Sequence, residues 1–210
     1  MMAFRAVKAN LTQILGDASG GQWDTVGYQR QVDAAKQVGD TGRSVQVFYQ
    51  SSSFPESSSG YRSEVVHVAT YGLELTIAAS ARGDINELLD TAETDEERAA
   101  ALSAFRDAAD LADEALDEFF DAIYQVIMDA RNYDLGMQPG EIADRWITEL
   151  RKDEPVPHGA QVILTGRATM TVRIAEDVLG EDGVPGELID LGVLINEDDT
   201  PRSGVQIDYT

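Results

Sequence analysis

Cysteine is absent from all 210 residues, which removes disulfides, thiolate catalysis, iron–sulfur clusters and cysteine zinc sites together. Lysine is nearly absent, with only Lys8, Lys36 and Lys152, and imidazole chemistry has only His67 and His158. Positive charge is scarce overall: 16 bases face 38 acids, for a net charge of −22. Such a balance repels phosphate backbones and anionic lipid, so no general electrostatic attraction to nucleic acid or membrane is expected. No apolar run reaches the ~18 residues of a membrane helix, and the start, Met1 to Lys8, lacks the continuous apolar stretch of a signal peptide. A soluble compartment is therefore expected, and Asn10-Leu11-Thr12, inside a helical pattern, reads as a chance match to a glycosylation acceptor.

What is present is a globular composition, 43% apolar, and clear periodicity. Phe4, Val7, Leu11, Ile14 and Leu15 predict a helix over about 3–15, closed by Gly16. Tyr28 to Val38 is read as a short helix. Arg43 to Gln50 alternates as a strand, Val45, Val47 and Tyr49 against Ser44, Gln46 and Phe48. The serine-rich Ser51 to Gly60 reads as a hairpin tip or arm. Glu64 to Ala79 is extended again, and Gly72 is expected to mark a bulge or bend in so long a strand.

Helical chemistry begins at Asp84. Thr94-Asp95-Glu96-Glu97 has the form of a capping box, and behind it Phe105, Ala108, Ala112, Leu116, Phe119, Ile123, Val126 and Ala130 step by threes and fours. Pro139 is read as the start of a short helix with Ile142, Trp146 and Leu150 on one face. Ala160 to Glu176 is the clearest strand, its Val162, Leu164, Ala168, Met170, Val172 and Ile174 facing one way and Thr165, Arg167, Thr169, Thr171 and Arg173 the other. Short extended pieces are expected at Leu191 to Ile195 and Val205 to Tyr209. Strands grouped apart from helices give an α+β class, a mainly antiparallel sheet packed against one long and several short helices. One domain is expected over 1–176, with a helical, acidic insertion around 84–152 and an acidic extension over 177–210.

Chemistry-bearing motifs are missing: no phosphate loop, dinucleotide fingerprint, HExxH or nucleophile elbow is present. His67 lies on the apolar face of its strand and reads as a packed or interface residue. His158, between Pro157 and Gly159, is expected to be more exposed and has no evident partner. Glu114, Glu118 and Asp121 read as a solvated face, since a di-metal helix would need a histidine three residues after a glutamate. Asn196 to Thr200 is oxygen-rich yet lacks the glycine and distal glutamate of a calcium loop. No catalytic, cofactor-binding or metal residue is assigned, no cofactor is expected, and the chain is not read as an enzyme.

The charge is unevenly spread. Residues 84–121 carry fourteen acids and two bases, 176–199 nine acids and no base, and 1–80 seven acids and six bases. The pattern looks like adaptation to high salt, with the near-neutral strands left to meet partners.

The order of elements, Phe4 to Leu15, Arg43 to Gln50, Glu64 to Ala79, Leu102 to Arg131 and Gln161 to Ile174, resembles the tail terminator and tail completion (neck) proteins of tailed viruses. It is a resemblance of layout over about two thirds of the chain. It implies a virion protein made in the host cytoplasm, a ring of commonly six copies that caps the tail tube, halts its growth and meets neck proteins. The salt-adapted composition would fit a virus of a halophilic archaeon or a marine bacterium. A head–tail connector subunit, a salt-adapted cytosolic enzyme or ligand-binding module with a pocket near His67 or His158, and an acidic nucleic-acid mimic are the rival readings.

Overall fold

The computed structural model describes residues 3–27, 42–54 and 64–177. In chain order the elements are α1 (Ala3–Ala18), β1 (Asp24–Gly27), β2 (Arg43–Ser53), β3 (Glu64–Ser80), α2 (Ile85–Thr91), α3 (Asp95–Met128), a 3-10 turn (Ala130–Asn132), β4 (Ile142–Lys152), β5 (Val156–His158) and β6 (Gln161–Asp177). The sheet order is β1-β2-β3-β6-β4, with β5 also paired to β6. Every pairing is antiparallel except β1 with β2. The chain is thus α+β with a mixed, mainly antiparallel sheet. Its spine is the unbroken β3–β6 ladder from Glu64 opposite Asp177 to Ser80 opposite Gln161.

Strand alternation turns one face of the sheet into the core. Val45 and Val47 of β2, Ala69, Tyr71, Leu73, Leu75 and Ile77 of β3, and Leu164, Ala168, Met170, Val172 and Ile174 of β6 are all buried there. Two helical stripes cover them: Val7, Leu11 and Leu15 of α1, and Ala112, Leu116, Phe119, Ile123 and Ile127 of α3. Each valine, leucine, isoleucine, methionine or phenylalanine among them contributes about 1.5–3 kcal/mol by leaving water. Trp23 closes one side, its ring 5.7 Å from Phe119 and its Nε1 donating to the Leu15 carbonyl at 3.1 Å. Helix and sheet approach closely at Gly166, where a Cβ would stand 3.0 Å from Leu116 Cδ2.

The helix starts follow their local chemistry. Asp84 accepts from the Asn86 and Glu87 amides at 3.0 and 3.2 Å. At α3 the expected capping box is present: Thr94 Oγ1 accepts from the Glu97 amide at 3.2 Å, and Glu97 accepts from the Thr94 amide at 3.0 Å. At the other end of α3, the buried Arg145 of β4 donates to the carbonyls of Asp129, at 2.8 Å, and Asn132. A cation there also meets the negative end of the helix dipole.

Four expectations need correction. The helix assigned after Pro139 is the edge strand β4, and the helical stretch within 84–152 ends at Asn132. Register shifts at Ala143 and Thr148 break the period of two, so Ile142 and Leu150 face the helices, paired with Ile174 and Ala168, while Trp146 faces away, paired with Thr171. Gly72 makes no bulge: it pairs directly with Phe48, whose ring lies over it, and the bulge sits between Tyr49 and Ser51 on β2. The first helix runs through Gly16 to Ala18, and Ser51 to Ser53 still belong to β2. The short β1 gave no periodic signal at all. The expected helix at Tyr28 to Val38 and the pieces at Leu191 to Ile195 and Val205 to Tyr209 lie outside the described residues.

Candidate functional site

Because α1 and α3 both bury their stripes on one side, the opposite side of the sheet is the one these two helices leave uncovered. Its open part is built by β3, β6 and β4. Thr165, Arg167, Thr169, Thr171 and Arg173 alternate outward along β6, and β4 adds Asp144, Trp146, Glu149 and Arg151. Arg167, Arg173, Glu149, Arg151 and Asp144 are exposed, Thr165 and Thr169 half-buried, and Thr171 is 8% exposed. Toward β2 the same face closes: Ser44, Gln46 and Thr76 are buried, and Ser44 Oγ, Gln46 Nε2 and Thr76 Oγ1 find no hydrogen-bond partner. The polar side of β2 is thus desolvated.

The open part is close to electrical balance. Three arginines (Arg151, Arg167, Arg173) stand with four acids (Glu74, Asp144, Glu149 and Asp153). Arg151 and Arg167 are register partners, a repulsive placement that Glu74, 3.0 Å from Arg167 Nε, and Asp153, 3.4 Å from its Nη2, offset. Helix α3 by contrast carries ten acids and two arginines. The acidic excess of the described residues therefore belongs to the helical layer.

His67 is 1% exposed on the core face, its ring 4.9 Å from that of Phe54, and neither ring nitrogen has a hydrogen-bond partner. His158 is exposed on β5. Glu114, Glu118 and Asp121 are exposed on α3, with Glu118 3.6 Å from Arg43. Lys152 ties β4 to α3 through Asp113 and Asp117 at 2.7 and 2.8 Å. Burial works against its charge, but those two carboxylates raise its pKa above the ordinary value. Asp129, gripped by the Arg131 side chain and amide, is pulled down to about 2. Burial lowers the pKa of Arg145, against the pull of Tyr133, Asp134 and Asp129.

Recesses open on the surface of the described residues. One, of about 590 Å³, lies between α2 and the start of α3 and is walled by Leu88, Ala100, Ala101 and Ala104. Another, of about 670 Å³, lies where α1 meets β2 and is lined by Phe4, Arg5, Lys8, Ala9 and Tyr49. Neither brings a histidine beside a hydroxyl or carboxylate. Among the described residues no three His, Asp or Glu side chains gather as metal ligands, and no helix is long and apolar enough to cross a membrane. Asn196 to Thr200 lies outside the described residues. No family model matches the chain, and no curated protein matches it.

The sequence placed Thr169 and Thr171 on the side of β6 opposite its apolar face and His67 on the apolar side of β3, as found. It missed the Arg145 cap and the Lys152 tie, because both depend on β4 being a strand. An arginine among Ile142, Ile147 and Leu150 was the available signal.

Proposed function

We propose that the protein is a structural assembly subunit that closes into a ring, of the tail-terminator kind that caps a tail tube and joins it to the neck of a virion. The observation that carries this reading is the one-sided sheet: a threonine- and arginine-bearing surface of nearly balanced charge, opposite a strongly acidic helical layer. A surface whose own charges nearly cancel approaches another copy without the repulsion that a net charge of −22 otherwise imposes. Contacts between unlike patches of successive copies close into rings when the rotation permits, which suits a stopper. The work is assembly, without bond chemistry.

Native mass spectrometry in a volatile salt at near-molar strength tests it. The wild-type chain should give one closed oligomer. Thr169→Glu and Arg173→Glu should give monomers with unchanged melting temperature, whereas Asp110→Asn, on the helical layer, should leave the oligomer intact. A monomeric wild-type chain, or variants that assemble normally, overturns the proposal.

A further inference from the structure

We infer that β1 and β2 form a flank of the sheet that opens by itself, while β3, β6, β4 and α3 stay folded. This stands apart from the ring reading and needs no second copy. Buried polar groups in folded proteins are nearly always hydrogen-bonded, and one left without a partner favours any state in which water can reach it. Among the described residues, such groups gather at one side of the sheet. They are Thr25 Oγ1 on β1, Ser44 Oγ, Gln46 Nε2 and Ser52 Oγ on β2, and Thr76 Oγ1 with both ring nitrogens of His67 on β3. The remaining one is Nε of Arg145, whose two terminal nitrogens are bonded.

The backbone pairing is graded in the same direction. β1 is only 4 residues long and joins β2 in parallel, the less stable arrangement. β2 meets β3 in a ladder broken by the bulge between Tyr49 and Ser51, whereas β3 and β6 pair without a break over all 17 residues of each. β4 also carries bulges, but Lys152 and Arg145 tie it to α3 and to the turn that follows α3. At the β2–β3 boundary Ser44 is the register partner of Thr76, so two unbonded hydroxyls stand side by side, and Gln46 lies two residues along on the same face. Parting that boundary gives water access to all three and bares the edge of β3 from Val68 to Ile77.

Strand β3 carries its own control for the test. The Ala78 amide donates to the Gly42 carbonyl on the β2 side, and the Ala81 amide to the Ala160 carbonyl on the β6 side. Along β3, therefore, the amides of Glu74 and Thr76 point to β2, and those of Leu73, Leu75 and Ile77 point to β6. Amide hydrogen exchange of the full chain is followed by NMR where the rate reports the opening equilibrium, with each rate corrected for its intrinsic value. Glu74 and Thr76 should exchange at least about tenfold faster than Leu73, Leu75 and Ile77, and with a weaker urea dependence, because partial opening exposes less surface. Thr76→Val removes an unbonded hydroxyl and keeps the shape, so it should slow exchange at Glu74 and at position 76 by about tenfold. Ser44→Ala should slow it as well. Unchanged β6 amide shifts check that each variant is folded. Equal rates or equal urea dependence in the two sets of β3 amides, or exchange at Glu74 that either variant leaves unchanged or quickens, overturns the inference.

Discussion

At the scale of single residues, two positions carry more of the fold than their type suggests. Gly72 sits in the central strand, where glycine weakens a sheet, yet a Cβ there would overlap the Phe48 ring that lies across it. Gly72→Ala should therefore cost about 1–3 kcal/mol, as overpacking does, while the same change made in a Phe48→Ala chain should be neutral or stabilising. Urea melts of the four chains in that cycle measure the coupling. Arg145 is the second. Its guanidinium forks to the Asp129 and Asn132 carbonyls and lies 5.3 Å from the Tyr133 ring. Removing it by Arg145→Met leaves those carbonyls unsatisfied and should cost about 2 kcal/mol. Arg145→Lys should not restore the loss, because one ammonium cannot reproduce the planar fork. Neither role could be read from sequence: a glycine opposite an aromatic, or an arginine under a helix end, becomes visible only once the strand register is known.

At the scale of elements, what was legible was what had an unbroken period. β6 and β3 alternate over their length, so both were found with their correct faces, and α3 was found with its stripe from Ala108 to Ile123, although at its end Ile127 is buried in place of Val126 and Ala130 is exposed beyond the helix. β4 was lost because its two bulges leave Ile142 and Leu150 on one face with Trp146 on the other, a spacing of four that imitates a helix. The arrangement fits an exposed edge: bulges and the charged Asp144, Glu149 and Arg151 make β4 a poor template for a further strand. Start signals behaved differently from periods, since they act within a few residues and need no tertiary context. Thr94→Ala should therefore cost about 1 kcal/mol and lower the melting temperature by about 2–4 °C, measured by calorimetry at pH 7. At that pH Glu97 is fully ionised. Hydrogen bonds from the Thr94 and Glu93 amides hold its pKa below the ordinary 4.5, so its share of the cap is present above that value and fades only in more acid solution.

For the whole molecule, the governing feature is how charge is divided between the two layers. The ten acids of α3 stand against Arg98 and Arg106 on the same helix, while the open sheet face nearly balances its own charges. Opposite-charge pairs between side chains are few among the described residues and solvent-exposed, so each is worth at most about 1 kcal/mol and is screened as readily as repulsion. Repulsion therefore dominates the salt response. Asp110 has acidic neighbours three or four residues away at Asp107, Asp113 and Glu114, and Asp121 has them at Asp117 and Glu118. At about 0.2–0.5 kcal/mol each, these like-charge pairs together cost about 1–2 kcal/mol at low ionic strength. Raising sodium chloride to 1 M shortens the screening length to about 3 Å, within the spacing of such neighbours, and removes most of that cost. The melting temperature should accordingly rise with salt. Asp110→Asn combined with Asp121→Asn should raise it by about 2–8 °C in dilute buffer and have little effect at 1 M. A melting temperature that falls with salt, or a double variant less stable in dilute buffer, would mean that attraction to the few cations outweighs repulsion along α3.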